Sequence, residues 1–258
     1  MARVFVTGSA DGLGLLAARS LLESGHEVVL HARNPSRAED TRRRLPAPTA
    51  VVVGDLASLE QTRGVAEQAN RLGPFDAVIH NAAVGYQGPR VETEEGLPHV
   101  FQVNVLSFYV LTALVERPKR LVYLSSGMHR GADSNLEDVE WTKRRWRGAA
   151  AYAESKLCDV LLAFAVARRW PGVFSNAVDP GWVPTRMGGP SAPDDLEEGY
   201  RTQAWLAVSD DPAALVSGKY FHHQRPQAPD PATHDVGRQE KLLELCRRFS
   251  GVALDTGS

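Results

Sequence analysis

Cysteine is nearly absent: Cys158 and Cys246 are the only two in 258 residues, and neither sits at metal-ligand spacing or within a disulfide framework. That excludes a disulfide-stapled scaffold and suits a reducing cytoplasm. An excess of one charge is missing too. Twenty-nine Lys and Arg face 31 Asp and Glu, a formal net charge of −2, which supplies no general attraction to nucleic acid or to an anionic membrane. The basic runs Arg42–Arg44 and Lys143–Arg147 read as solvated helix faces, so no nucleic-acid and no membrane partner is expected. Long apolar runs are also lacking. The most hydrophobic segment, Leu157–Ala167, is interrupted by Asp159 and flanked by Lys156 and Arg168; it is too short to span a bilayer and reads as a buried helix. The opening MARVFVTG has no signal-peptide layout. With no internal repeat, low-complexity tract or long linker, one domain over residues 1–258, cytoplasmic, is expected.

What is present is alternation. Arg3–Thr7, Glu27–Ala32, Thr49–Val53, Asp76–His80, Arg120–Ser125, Val173–Val178 and Gly218–His222 are short, β-branched and apolar, as strands covered on both faces must be. Between them the spacing predicts helices near 12–24, 36–44, 58–71, 97–116, 150–170, 195–207 and 235–249. Ser58-Leu-Glu-Gln61 fits a capping box, and Gly25 and Gly172 stand as helix stops. This order predicts an α/β fold: a doubly wound, seven-stranded parallel sheet with helices on both faces. The proline-rich Pro226–Pro231 reads as a surface turn.

The first strand runs into Thr7-Gly-Ser-Ala-Asp-Gly-Leu-Gly14. Gly8, Gly12 and Gly14 permit a tight turn, close approach to a pyrophosphate and close helix–strand packing, and the following helix aims its free N–H groups at the anion. Strand before and helix after are the context a Rossmann-type dinucleotide site requires. At the end of the second strand stands His31-Ala32-Arg33-Asn34. A carboxylate there would hold the ribose hydroxyl of NAD; Arg33, with Arg37 as a second cation, favours the 2′-phosphate of NADP, and NAD is the less favoured cofactor. Asp11 inside the loop argues mildly the other way.

With these residues the sequence resembles the short-chain dehydrogenase/reductase family over nearly its whole length. TGSADGLG, which includes Ser9 and Leu13, matches that family's TGxxxGxG. Asp55-Leu56 is similar to its adenine-contacting Asp after the third strand, and Asn81-Ala82-Ala83 to its NNAG motif, with Ala83 in place of Gly. Asn104 matches the helix asparagine, Ser126 the serine after the fifth strand, and Tyr152-x-x-x-Lys156 the catalytic pair. Asp179-Pro180-Gly181-Trp-Val183-Pro-Thr185 resembles the motif beside the nicotinamide. The interval from Ser126 to Tyr152, 26 positions, is longer than is common in the family. It is similar to the intervals in its retinol-dehydrogenase-like and carbonyl-reductase-like branches, and in the carbonyl-reductase-like members a longer insert blocks the usual oligomer contact. Gly131–Gly148 could do that here or roof the substrate pocket.

Reduction of a carbonyl needs a hydride, which NADPH supplies because no side chain can. It also needs a proton. Tyr152 and Lys156, one helical turn apart, make an acid and the charge that stabilises its phenolate. Ser126 can steady the oxygen as it gains charge. The resemblance implies that Asn104 holds a water linking Lys156 to solvent, and that Asn81, Val183 and Thr185 line the nicotinamide. The sequence therefore predicts an NADP(H)-dependent oxidoreductase interconverting a carbonyl and an alcohol; the alternative is a non-enzymatic NADP(H) sensor or scaffold. No metal site is expected, since His222-His223 lacks a third ligand at sensible spacing. The small-molecule substrate would meet Gly85–Pro89, the 127–148 insert, Trp182 and a mobile segment Met187–Glu198. Monomer and homodimer both remain open.

Overall fold

A computed structural model describes residues 1–45, 50–86 and 88–255. Eight strands form one sheet in the order β3-β2-β1-β4-β5-β6-β7-β8. They are β1 (Arg3–Val6), β2 (Glu27–Ala32), β3 (Val51–Val53), β4 (Ala77–His80), β5 (Arg120–Leu124), β6 (Phe174–Asp179), β7 (Tyr220–His222) and β8 (Arg225–Gln227). The first seven pair in parallel, and only β8 runs antiparallel, on β7. The helices are α1 (Gly12–Glu23), α2 (Pro35–Arg44), α3 (Leu59–Leu72), α4 (His99–Phe101), α5 (Ser107–Leu114), α6 (Gly148–Arg169), α7 (Leu196–Val208) and α8 (Val236–Ser250).

Because successive strand residues point to opposite faces, the apolar strands feed two cores. Phe5, Val29, Val78, Leu121 and Ala177 pack with residues of α3, α5, α6 and α8. Their neighbours Val6, Leu30, Ile79, Val122 and Val178 pack with Leu15, Ala18 and Leu21 of α1 and Ala204, Leu206 and Ala207 of α7. The expected doubly wound, Rossmann-type architecture is therefore present.

Three expectations change. The Pro226–Pro231 segment is not simply a turn. Pro226 and Gln227 belong to β8, an edge strand, where a missing N–H is tolerated. His223 and Gln224, both at positive φ, make the two-residue hairpin turn that leads into it. The single helix expected over 97–116 is interrupted by a π-helical turn at Gln102–Leu106, which no hydrophobic period announces. The capping box is only half formed: Ser58 accepts from the Gln61 N–H (3.4 Å), but the Gln61 side chain turns to the Asp55 N–H (2.9 Å). Thr49, the expected start of the third strand, lies outside the described residues.

His80 closes β4 inside the larger core, stacked on Tyr123 (ring centroids 4.7 Å apart) and bonded through Nε2 to the Thr112 hydroxyl (3.1 Å). Burial pushes its pKa down to about 3. A base depressed in this way takes up its proton first in the unfolded chain. Its contribution to stability is complete above the unfolded value of about 6.5 and is lost as pH falls from there toward 3. His80→Gln is expected to flatten the dependence of unfolding free energy on pH between about 4 and 6 by roughly 1.4 kcal/mol per pH unit, read from urea unfolding at a series of pH values.

Candidate functional site

The strand order reverses at β1, which lies between β2 and β4. Crossovers therefore leave in opposite directions from β1 and β4, and a crevice opens at their carboxyl ends. Each residue around it has a definite anchor. The Thr7 hydroxyl accepts the N–H groups of Asn81 (2.9 Å) and Ala82 (3.1 Å), and the Asn81 amide donates to the Thr7 carbonyl (3.1 Å). Gly8 (φ +63°) lies so close to the segment after β4 that a Cβ there would stand 2.6 Å from the Ala82 Cα. At Gly14 a Cβ would meet the Asn81 amide nitrogen at 2.4 Å. Ser9 is buried, accepting the His31 N–H (2.8 Å) and donating to the Val6 carbonyl (2.9 Å).

Asp11 caps α1 through the Gly12 N–H (2.9 Å), and among the described residues the N–H groups of Leu13 and Gly14 have no protein partner. Gly12 opens toward Thr185, the only residue within 4 Å of a Cβ placed there. Unpaired N–H groups at a helix start, beside glycines that leave the space clear, fit a pyrophosphate.

Asp11 carries less weight against a phosphate than the sequence implied, and Arg37 less weight for one. Asp11 pairs with Arg37 (3.4 Å) and Arg44 (3.8 Å). Burial alone would raise its carboxyl, but the Gly12 N–H and the two guanidinium groups outweigh it and hold the pKa below the usual range. Arg37 is thus occupied. Arg33 is exposed and forms no ion pair or side-chain hydrogen bond among the described residues. The Asn34 side chain is used in capping α2 at the Arg37 N–H. Asp55 turns to the Ala57 N–H (2.9 Å), and Leu56 belongs to the larger core. Ala83 is not among the residues at positive φ, so the backbone there accepts the methyl that the family motif lacks.

A residue the sequence reading passed over completes this end. His31 is buried, with Nδ1 accepting from the Gly8 N–H (3.0 Å) and Nε2 2.8 Å from the Gly54 carbonyl. The acceptor role at Nδ1 places the proton on Nε2, and burial lowers the pKa so that the ring stays neutral. One imidazole therefore ties the glycine turn to the end of β3. It stands two positions before Arg33, at a strand end whose spacing marks only a charge-bearing position.

At the other end, α6 presents Tyr152, Lys156 and Asp159 one turn apart. Tyr152 is buried, its ring beside that of Tyr86 (5.4 Å). Lys156 Nζ, fully buried, lies 5.7 Å from the Tyr152 ring centroid and donates to the Leu124 carbonyl and to Asp159 Oδ2, both at 2.8 Å. Burial raises the Tyr152 pKa; Lys156 pulls it down, but Asp159, Asp179 and Tyr86 add to the rise. The spacing of Tyr152 and Lys156 accounts for the lysine alone; burial first, and then the two carboxylates, turn the net direction opposite to the one expected.

Ser126 caps a short 3-10 turn at Gly127–His129, while its neighbour Ser125 is buried on the Lys156 carbonyl (2.7 Å). His129 braces the same turn, with Nδ1 on the Ser126 carbonyl (2.8 Å) and Nε2 accepting from the Asp230 N–H (3.0 Å). Asn104, in the π-turn, accepts from the Val84 N–H (2.9 Å) and donates to the Val84 carbonyl and the Ser155 hydroxyl. Both N–H donors of its amide are engaged with protein, and the side chain clamps the loop after β4 to α6.

The motif after β6 is held tightly. The Gly181 N–H bonds Asp179 (3.0 Å), Val183 is buried, and Trp182 and Asp194 exchange hydrogen bonds of 2.6 and 3.1 Å. The Trp182 indole donates to the Gly188 carbonyl (2.9 Å). The segment expected as mobile is thus a closed loop over 182–194, and its end passes into α7. Tyr86, Met128, Trp182 and Met187 are exposed apolar side chains on the loops after β4, β5 and β6. Gln87, within the expected pocket, lies outside the described residues.

The insert lies along α6. Arg144 reaches Glu154 with two nitrogens (2.8 and 2.6 Å) and rests on the Trp141 ring (3.7 Å). The Trp146 indole donates to the Gly88 carbonyl (3.4 Å).

The crevice and cradle define a Rossmann-type dinucleotide-binding protein. The sequence profile of the family described as short chain dehydrogenase matches residues 2–196. The chain is 43% identical over 262 residues to an oxidoreductase of Emericella nidulans, covering 100% of both chains. It is 40% identical over 258 residues to the short-chain dehydrogenase chry4 of Gibberella zeae, covering 98% and 99%. A crystal structure of a protein from Mycobacterium paratuberculosis superposes with a TM-score of 0.86 at 25% identity, covering 99% and 95%. The chain belongs to the short-chain dehydrogenase/reductase family, NAD(P)-dependent oxidoreductases that act on CH–OH and C=O groups. No described helix is long and apolar enough to cross a membrane.

The cradle can be tested against a glycine of the opposite kind. Gly14→Ala is expected to cost about 1–3 kcal/mol and to weaken dinucleotide binding. Gly64→Ala, in α3 with nothing within 4 Å of the added Cβ, should stabilise by about 0.5–1 kcal/mol and leave binding unchanged. Thermal unfolding and a fluorescence titration with NADPH would check both.

Proposed function

We propose that residues 1–258 work as one cytoplasmic unit that uses NADP(H) to interconvert an apolar ketone or aldehyde and its alcohol. The observation that carries this is the buried phenol of Tyr152, kept protonated, on the same helical face as a fully buried ammonium. The nicotinamide, when bound, supplies or removes the hydride.

Tyr152 then acts as the general acid, giving its proton to the carbonyl oxygen. Lys156 lowers the cost of the phenolate left behind, and Ser126, at the head of its braced turn, offers a hydroxyl to the oxygen as it gains charge. Asn104 is a positioning residue, holding the loop after β4 against the catalytic helix. Gly8, Ser9, Asp11, Gly12, Leu13 and Gly14 would receive the pyrophosphate, and Asp55 and Leu56 the adenine side. Asn81, Ala82, Ala83, Pro180, Gly181, Val183 and Thr185 would border the nicotinamide. NADP is favoured over NAD because Arg33 stands unpaired where no carboxylate competes. The apolar rim of Tyr86, Met128, Trp182 and Met187 supports a hydrophobic substrate. The insert against α6 supports a monomer.

Tyr152→Phe is expected to lower kcat by about a hundredfold or more while the NADPH dissociation constant changes less than about threefold. Retained turnover would remove Tyr152 from the acid role. Arg33→Ala should raise KM for NADPH about tenfold or more and leave KM for NADH nearly unchanged, since a charge-assisted bond is worth about 1.5–3 kcal/mol. Equal effects on both cofactors would show that Arg33 does not read the 2′-phosphate.

A further inference from the structure

Lys156 has a partner that the proposed chemistry does not use. Asp159, three residues along α6, is fully buried and pairs with Lys156 at 2.8 Å. Its other oxygen, Oδ1, has no hydrogen-bond partner although it is buried. A buried carboxylate with an orphan oxygen is costly, and an ion pair in the interior seldom repays its desolvation. Leu162 and Ala163 on the same helix show that an apolar residue would fit this core readily. The pair also consumes the ammonium. Of the three N–H donors of Lys156, one goes to Leu124 and one to Asp159, which leaves a single donor for everything else.

We infer that Asp159 is a positioning residue of the active site: it anchors the Lys156 ammonium from two turns below Tyr152 and withholds part of that charge from the phenol. The inference rests on Tyr152 as the proton donor, and it says how strongly that donor holds its proton. With Asp159 ionised, Lys156 is partly neutralised and Tyr152 stays a phenol. With Asp159 neutral, the full ammonium charge acts on Tyr152 and the phenolate becomes easier to form.

The surrounding groups leave this pair to itself. Tyr152 faces Lys156 and Asp159 along α6, Asp179 from β6 and Tyr86 from the loop after β4. Asp159 faces Lys156, Cys158 and Tyr123 of β5, with His80 of β4 stacked behind Tyr123 and Phe108 of α5 beside Lys156. Burial raises the Tyr123 and Cys158 pKa values and lowers that of His80, so all three are uncharged near neutrality. Burial also lifts the Asp159 carboxyl to about 7 against the pull of Lys156, so its charge changes near neutral pH.

The test reads ionisation and needs no substrate. The phenolate absorbance of Tyr152 is isolated as the difference between the chain and its Tyr152→Phe variant, titrated in the wild-type and in the Asp159→Asn backgrounds. Removing the carboxylate charge should move the Tyr152 midpoint down by about half a unit or more. Asp159→Glu, which keeps the charge, should restore the wild-type midpoint. An unmoved or raised midpoint in a folded Asp159→Asn protein would overturn the inference and leave the pair merely structural. Should Asp159→Asn fail to fold, the coupling is read in reverse by carbon-13 NMR of aspartate-labelled wild-type and Tyr152→Phe protein. The carboxyl that titrates near neutrality should show a second step at the Tyr152 midpoint only when Tyr152 is present; identical curves would overturn the inference. If Tyr152→Phe kept its turnover, the proposed reaction would fail while the titration still decided the role of Asp159.

Discussion

The contact between the Gly8 backbone and Ala82 is the constraint on which the rest of the site depends. Two adjacent parallel strands end there, and their continuations must diverge to opposite faces of the sheet. A side chain at position 8 would force them apart, because its Cβ would sit 2.6 Å from the Ala82 backbone just beyond β4. Everything nearby keeps that approach close. The Thr7 hydroxyl gathers two N–H groups from the residues that follow β4, Asn81 returns a bond to the loop, and His31 pins Gly8 from the other side. The start of α1 is thereby aimed into the crevice, with Asp11 fixing its first turn.

The second constraint is electrical. Helix α6 is buried nearly all round, which is the condition for its role in the larger core and the source of its difficulty. A helix of this kind tolerates polar side chains only where each finds a partner. Ser155, Lys156 and Asp159 find theirs in Asn104, Leu124 and each other. The dry surroundings make each remaining charge act strongly on its neighbours, so the Tyr152 phenol is set by a balance of burial, one ammonium and two carboxylates.

Strand and helix order was legible because it rests on periodicity, which a chain displays openly. The glycine loop, Ser126, Tyr152 and Lys156 could be singled out as candidates because spacing alone marks them. What stayed hidden depends on three dimensions. Asp159 reads as a charge interrupting an apolar run until α6 is seen to be buried on the side where it lies. His31 reads as a neutral neighbour of Arg33 until β3 is placed beside β2, bringing Gly54 within reach. The π-turn at Gln102–Leu106 has no pattern of its own, since one extra residue in a turn barely disturbs hydrophobic spacing. The eighth strand was missed because prolines argue against a strand in general and only an edge position excuses them.

The insert shows how a surface segment can be coupled to buried chemistry. Arg144 fixes it to Glu154, two residues beyond Tyr152 on α6, while Asp138 and Asp133 surround the same guanidinium. At its far end Gly148 is pressed so closely against the Tyr86 carbonyl that a Cβ would stand 2.4 Å from it, and Trp146 holds the Gly88 carbonyl. The loop after β4 is therefore gripped twice, by the insert outside and by Asn104 inside. Tyr86, which rests on the Tyr152 ring, is carried on that loop. A change in the insert would reach Tyr152 through Tyr86 without touching the glycine loop. The insert follows β5 and the glycine loop follows β1, so the first can vary while the second keeps its geometry.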